Sequence, residues 1–201
     1  MVSGVALFVD ILDVQLQVLA WGLLAGAAWV LLRFGMPRGE TEKLDKGFGY
    51  AFFTIGLYAF ITGLWATFAW PLPSSYNLVL SDPYALFGIA YLALGLALIY
   101  GADLRGVMYM IAFLSLSVFI YGADIYNYHM THEPAAAAAM YIFIALAALL
   151  SPLLTYRSTS RWFAYIEIVL LVIGALLSAY IGASATFEHT AGWVKWVPFY
   201  G

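Results

Sequence analysis

Residues 134–156 read PAAAAAMYIFIALAALLSPLLTY, without one charged side chain. A helix crossing a hydrocarbon core about 30 Å thick needs roughly 20 mainly apolar residues, and this run supplies them. Five further segments meet the same requirement, at 5–33, 47–70, 83–101, 106–128 and 162–187. Their apolar runs are too long for barrel strands and show no period of two. The sequence therefore predicts an all-α fold: an integral membrane bundle of six transmembrane helices, one domain over residues 1–201. Composition agrees, since 9% of the side chains are charged against about 25% in a soluble domain.

The first segment is longer than a span and begins polar, with Asp10, Asp13, Gln15 and Gln17. Its opening turns are expected at the interface or packed against protein. Pro83 and Pro134 are expected to open the third and fifth helices, where a missing N–H costs least. The N-terminal MVSGVALFVD holds no Lys or Arg and no small-residue cleavage pattern, so it reads as retained structure and not as a signal peptide. The chain has no cysteine, which excludes disulfides, thiolate metal sites, iron–sulfur clusters and covalent haem attachment. With Asn77, Asn127, Gln15 and Gln17 as the only side-chain amides, that absence fits a hot habitat as well as it fits a membrane.

Basic residues set the orientation. Arg33, Arg38, Lys43, Lys46, Arg105, Arg157 and Arg161 fall in the turns after the first, third and fifth spans, and Lys195 alone lies in the tail. Cytoplasmic loops collect Lys and Arg, so the sequence predicts a multi-pass protein of the cell membrane with both termini extracytoplasmic. A net charge of −3 and the lack of a basic stripe argue against a nucleic-acid partner; the bilayer is the expected one. The three hairpins with basic turns, and glycines at 4, 63, 122 and 182, hint at a threefold duplication.

Candidate chemistry gathers on the outer side. The stretch IYGADIYNYHMTHEP carries Asp124, His129, His132 and Glu133, and His189 follows the sixth span. If the fourth helix continues far enough, His129 and His132 stand one turn apart. With His189, and Glu133 or Asp124 in support, they would suit a metal such as zinc, copper or iron. A haem could be held only near the outer surface, by His129 or His132 with His189, because no span carries a histidine at its middle. The order His-x-x-His-Glu is not that of a zinc protease, and a polar turn needs no ligand to explain it. Tyr121, Asp124, Tyr128 and His132 recur on one helical face. Glu167 lies about a turn and a half into the sixth span. Acids within spans usually face a cavity or a partner, so Asp124 and Glu167 are the candidate transport residues.

The passage WPLPSSYNLVLSDPYALFGIAYLALGLALIYGADLRG, followed by YGADIYNYHMTHEPAAAAAMYI, resembles an archaeal multi-pass membrane family, domain-of-unknown-function family 981. The resemblance rests on the SDPYALFG helix start, the ADLRG turn and the HEP turn, over roughly half the chain. It implies a polytopic membrane protein of thermophilic archaea and assigns no reaction, ligand or functional residue.

Three function classes fit these residues. The first is a non-catalytic subunit of a larger membrane assembly, associating with itself or other subunits, in a bundle where Gly22-x-x-x-Gly26 and Ser178-x-x-x-Gly182 allow close helix packing, more often within one chain than between copies. The second is a small ion or solute transporter or channel built on Asp124 and Glu167. The third is a redox or metal-binding protein using the outer histidines. No catalytic constellation and no obligatory cofactor are predicted.

Overall fold

A computed structural model describes residues 6–8, 11–36, 41–156, 160–192 and 196–198, of which 6–8, 160 and 196–198 are described by backbone alone. Gly4, Asp10, Arg38, Arg157, Trp193 and Lys195 lie outside the described residues. Six helices form the bundle: α1 (Leu12–Val30), α2 (Thr41–Ala69), α3 (Tyr76–Tyr100), α4 (Leu104–Asn127), α5 (Pro134–Leu150) and α6 (Ser160–Gly192). A wide π turn, Leu31–Gly35, extends α1, and a 3-10 turn, Ser151–Thr155, extends α5. All six are long and apolar enough to cross a membrane. The all-α expectation needs one amendment. Two three-residue strands, β1 (Ala6–Phe8) and β2 (Trp196–Pro198), pair in parallel with Ala6 opposite Trp196. The end of the bundle that carries them is called here the strand end. The opposite end holds Arg33, Lys43, Lys46, Arg105 and Arg161 and is the basic end.

Pro134 opens α5 as expected. Pro83 does not open α3, which begins seven residues earlier at Tyr76. A proline inside a helix removes one N–H and leaves the carbonyl four residues back without its partner. That carbonyl belongs to Val79, and the Tyr141 hydroxyl of α5 donates to it at 2.8 Å. The helix continues through the proline because a neighbouring helix satisfies the freed group, as apolar surroundings require.

The hairpins with basic turns are not the units of packing. The most extensive contacts join α2 to α3, α1 to α6 and α4 to α5. The expected glycine series occupies matching places in these pairs. A Cβ at Gly63 of α2 would lie 2.7 Å from Ala85 of α3. At Gly122 of α4 it would lie 3.0 Å from Tyr141 of α5, and at Gly182 of α6, 3.0 Å from Leu16 of α1. The tightest seam is α2–α3, where Gly49, Gly56 and Gly63 face Gly88 and Gly95. Added Cβ atoms at Gly56 and Gly88 would run into the partner backbone at Leu92 and Phe60. Without a hydrophobic drive between helices in lipid, such close backbone approach is a main source of cohesion.

Polar side chains tie the ends. Asn77, fully buried, donates to the Ala66 carbonyl at 2.9 Å and accepts from the Leu72 N–H at 3.3 Å, closing the α2–α3 turn. Asp45 of α2 accepts from Trp29 Nε1 at 3.0 Å and Arg33 Nε at 2.9 Å, joining the end of α1 to the start of α2. In the ADLRG turn, Asp103 caps α4. The Arg105 side chain and backbone N–H both donate to its carboxylate and hold it down at about 2.

Candidate functional site

Five helices, α1, α3, α4, α5 and α6, line a partly open cavity of about 130 Å³. On α1 the lining runs from Leu12 and Gln15 to Trp29 and Val30. Contacts between antiparallel α1 and α6 set the depth of the opposite wall. A Cβ at Gly182 would sit 3.0 Å from Leu16, one at Gly174 3.7 Å from Leu23, and one at Gly26 3.8 Å from Leu171. Continuing that register puts Glu167 level with Val30, about fifteen residues and therefore about 22 Å along the bundle from Gln15. So small a volume between residues so far apart is a slot, polar toward its two ends.

Most polar groups on the wall are spent on the protein. Tyr91 donates to the Gly22 carbonyl at 2.9 Å, Tyr141 to Val79 at 2.8 Å, Ser115 to Ala112 at 2.7 Å and Ser151 to Ala148 at 2.8 Å. The Tyr84 hydroxyl is buried and has no hydrogen-bond partner among the described residues. Two further groups share that state. Gln15 is 1% exposed, and both atoms of its amide lack a hydrogen-bond partner among the described residues. Glu167 is 6% exposed, and its Oε2 has none either. A buried polar atom without a partner costs about 1–3 kcal/mol, more when charged, so each marks a place where a ligand, water or proton would be stabilising.

Local chemistry explains how Gln15 comes to be buried. The first turn of α1 is pinned to the last turns of α6: His189 Nδ1 lies 2.8–2.9 Å from both carboxylate oxygens of Asp13, and Gln17 donates to Thr186 at 3.2 Å. About two turns before Thr186 on α6, Ser178 donates to the Leu16 carbonyl at 2.8 Å. The polar opening of the first segment thus packs against protein, with Gln15 turned inward between the two anchored neighbours.

The other sequence candidates stand elsewhere. Asp124 is half-buried near the end of α4 and is not on the cavity wall. Helix α4 stops at Asn127, and His129 has a left-handed backbone with φ of 49°. His129 and His132 therefore do not share a helical turn, and the stripe through Tyr128 and His132 is broken. The chain turns because Met130 is buried in the core while His129 and His132 stay exposed. Glu133 accepts from Tyr180 at 2.7 Å, and His189 is engaged with Asp13. Among the described residues, no group of three or more His, Asp or Glu side chains is gathered closely enough to hold a metal ion. Glu167 is the one candidate that lies on the slot, and Gln15 is its unanticipated counterpart. In the sequence Gln15 was visible only as one of the polar residues that open the first segment.

No curated protein and no solved structure matches this chain. The family model described as "Protein of unknown function (DUF981)" matches residues 5–192, nearly the whole sequence, and the chain belongs to that family.

Proposed function

We propose that this protein is a small membrane transporter whose solute passes along the slot between the helices, with Glu167 as the group that binds it. The observation that carries this reading is the Glu167 carboxyl: 6% exposed, on the cavity wall, with Oε2 lacking a partner among the described residues. Acidic groups inside membranes are costly and commonly belong to substrate or ion pathways. Gln15, toward the far end of the same slot, supplies a second, neutral station. Both termini face outward in this proposal, because the turns that collect seven of the eight basic residues are then cytoplasmic. Exposed side chains such as Phe68, Phe113 and Phe187 suit contact with lipid tails.

Reconstitution into liposomes tests the proposal. Uptake of a panel of small inorganic cations, organic cations and neutral solutes is followed by stopped-flow light scattering and by charge displacement. At least one class should show protein-dependent movement that falls about tenfold in Glu167→Gln, as expected for losing one contact to a charged group. A panel without any protein-dependent flux returns the assembly-subunit reading to first place.

A further inference from the structure

We infer that the slot is built for a small organic monocation: a primary or secondary ammonium on an apolar body no larger than one benzene ring. The assignment rests on the transporter reading for its site and goes further in naming the chemical class of the solute.

The donor set argues against divalent cations, anions and polyols. Calcium takes 6–8 oxygen ligands and magnesium a near-ideal octahedron, as general rules. The wall around Glu167 offers one carboxyl and the hydroxyl of Ser151, and the Gln15 amide lies about 22 Å away. An anion would meet a carboxyl on a wall without a described basic side chain. A polyhydroxylated solute would meet four hydroxyls already donating to backbone carbonyls and, among the lining tyrosines and serines, the Tyr84 hydroxyl alone without a partner among the described residues. A molecule that covers apolar wall and brings one cationic donor fits this lining.

Two further features fit that molecule. A Cβ at Gly174 would touch Ile144 at 2.9 Å, so in antiparallel α5 and α6 the residues seven further on and seven back, Ser151 and Glu167, stand level. Ser151 gives its proton to Ala148, which leaves its oxygen able to accept from an ammonium bound at Glu167. Trp29 and Tyr91 also line the slot, and aromatic rings attract ammonium groups more strongly once both are out of water. The volume of about 130 Å³, spread along the slot, sets an upper limit on size, since an apolar cavity of about 150 Å³ is known to take up benzene.

Binding to the purified full-length protein, measured by calorimetry, tests the class independently of flux. The probes are benzylamine, its uncharged counterpart benzyl alcohol, sodium and calcium. Benzylamine should bind about tenfold or more tightly than benzyl alcohol, as one charge-assisted contact provides, and the two ions should give no saturable heat. Glu167→Gln should bring the two organic probes to equal affinity. Glu167→Asp, which keeps the charge, should retain the preference and keeps the test decisive if the glutamine variant fails to fold. Equal affinities in the native protein, or a preference that survives in Glu167→Gln, overturn the inference. Amine binding without flux of any solute would support the site and overturn the transporter reading. Flux of other solutes without an amine preference would do the reverse.

Discussion

The Tyr141 hydroxyl donates to the Val79 carbonyl at 2.8 Å, the acceptor that Pro83 leaves without its helical N–H. One residue on α5 thereby makes a proline tolerable in the second turn of α3. Tyr141→Phe removes the donor and leaves a buried carbonyl unpaired, at an expected cost of about 1–3 kcal/mol. In a Pro83→Ala background the helix regains its own N–H, so the same substitution should cost distinctly less. Unfolding in mixed detergent, run as a double-mutant cycle, reads the difference; equal costs in both backgrounds would break the link between the two residues.

The α2–α3 seam predicts opposite outcomes for one substitution at two glycines of the same helix. Gly56→Ala places a methyl against the backbone at Leu92, which cannot move aside as a side chain could. It should destabilise by about 1–3 kcal/mol or more. Gly47 has nothing within 4 Å of where a Cβ would sit. There alanine should be neutral or stabilising, by about 0.5–1 kcal/mol in a helix interior. Midpoints of thermal unfolding in the same detergent distinguish the two.

Asn77 both donates and accepts at the α2–α3 turn, which makes the chemistry of its replacement informative. Asn77→Ala should cost about 1–3 kcal/mol through the groups left unpaired. Asn77→Asp should cost at least as much, because a carboxylate cannot donate to the Ala66 carbonyl and would bury charge. An aspartate variant as stable as the native protein would mean that the turn is held by packing alone.

Topology is tested by single cysteines in a chain that has none. Glu42→Cys at the basic end and Ser74→Cys in the turn between α2 and α3 should react with a membrane-impermeant thiol reagent from opposite sides. Glu42→Cys should be protected in intact cells and Ser74→Cys labelled. Labelling of both from outside would refute the arrangement with both termini out.

The number of helices, their class and their approximate ends followed from the sequence, because apolar length is a one-dimensional property and a bilayer demands it of every span. Pro134 as a helix start was legible for the same reason: its missing N–H costs nothing in a first turn. Pro83 followed the same rule and was misread, since only α5, 62 residues away in the chain, supplies the replacement donor. The seven-residue spacing of Gly49, Gly56 and Gly63 was present as a pattern, but its partners on α3 were not.

Which faces turn inward was decided by tertiary structure alone. In a soluble bundle, polarity separates core from surface. In lipid both sides of a helix are apolar, so periodicity does not tell the slot from the tails. Glu167 was conspicuous in the sequence because it is an acid in a span. That it lines the same cavity as Gln15, while Asp124 does not, depends on how α1, α5 and α6 pack. Nor could the spacing of His129 and His132 show that α4 ends at Asn127, where Met130 turns into the core. A one-dimensional pattern shows where the chain enters the membrane. Only the packing of helix against helix decides which of its few polar groups are left inside without a partner.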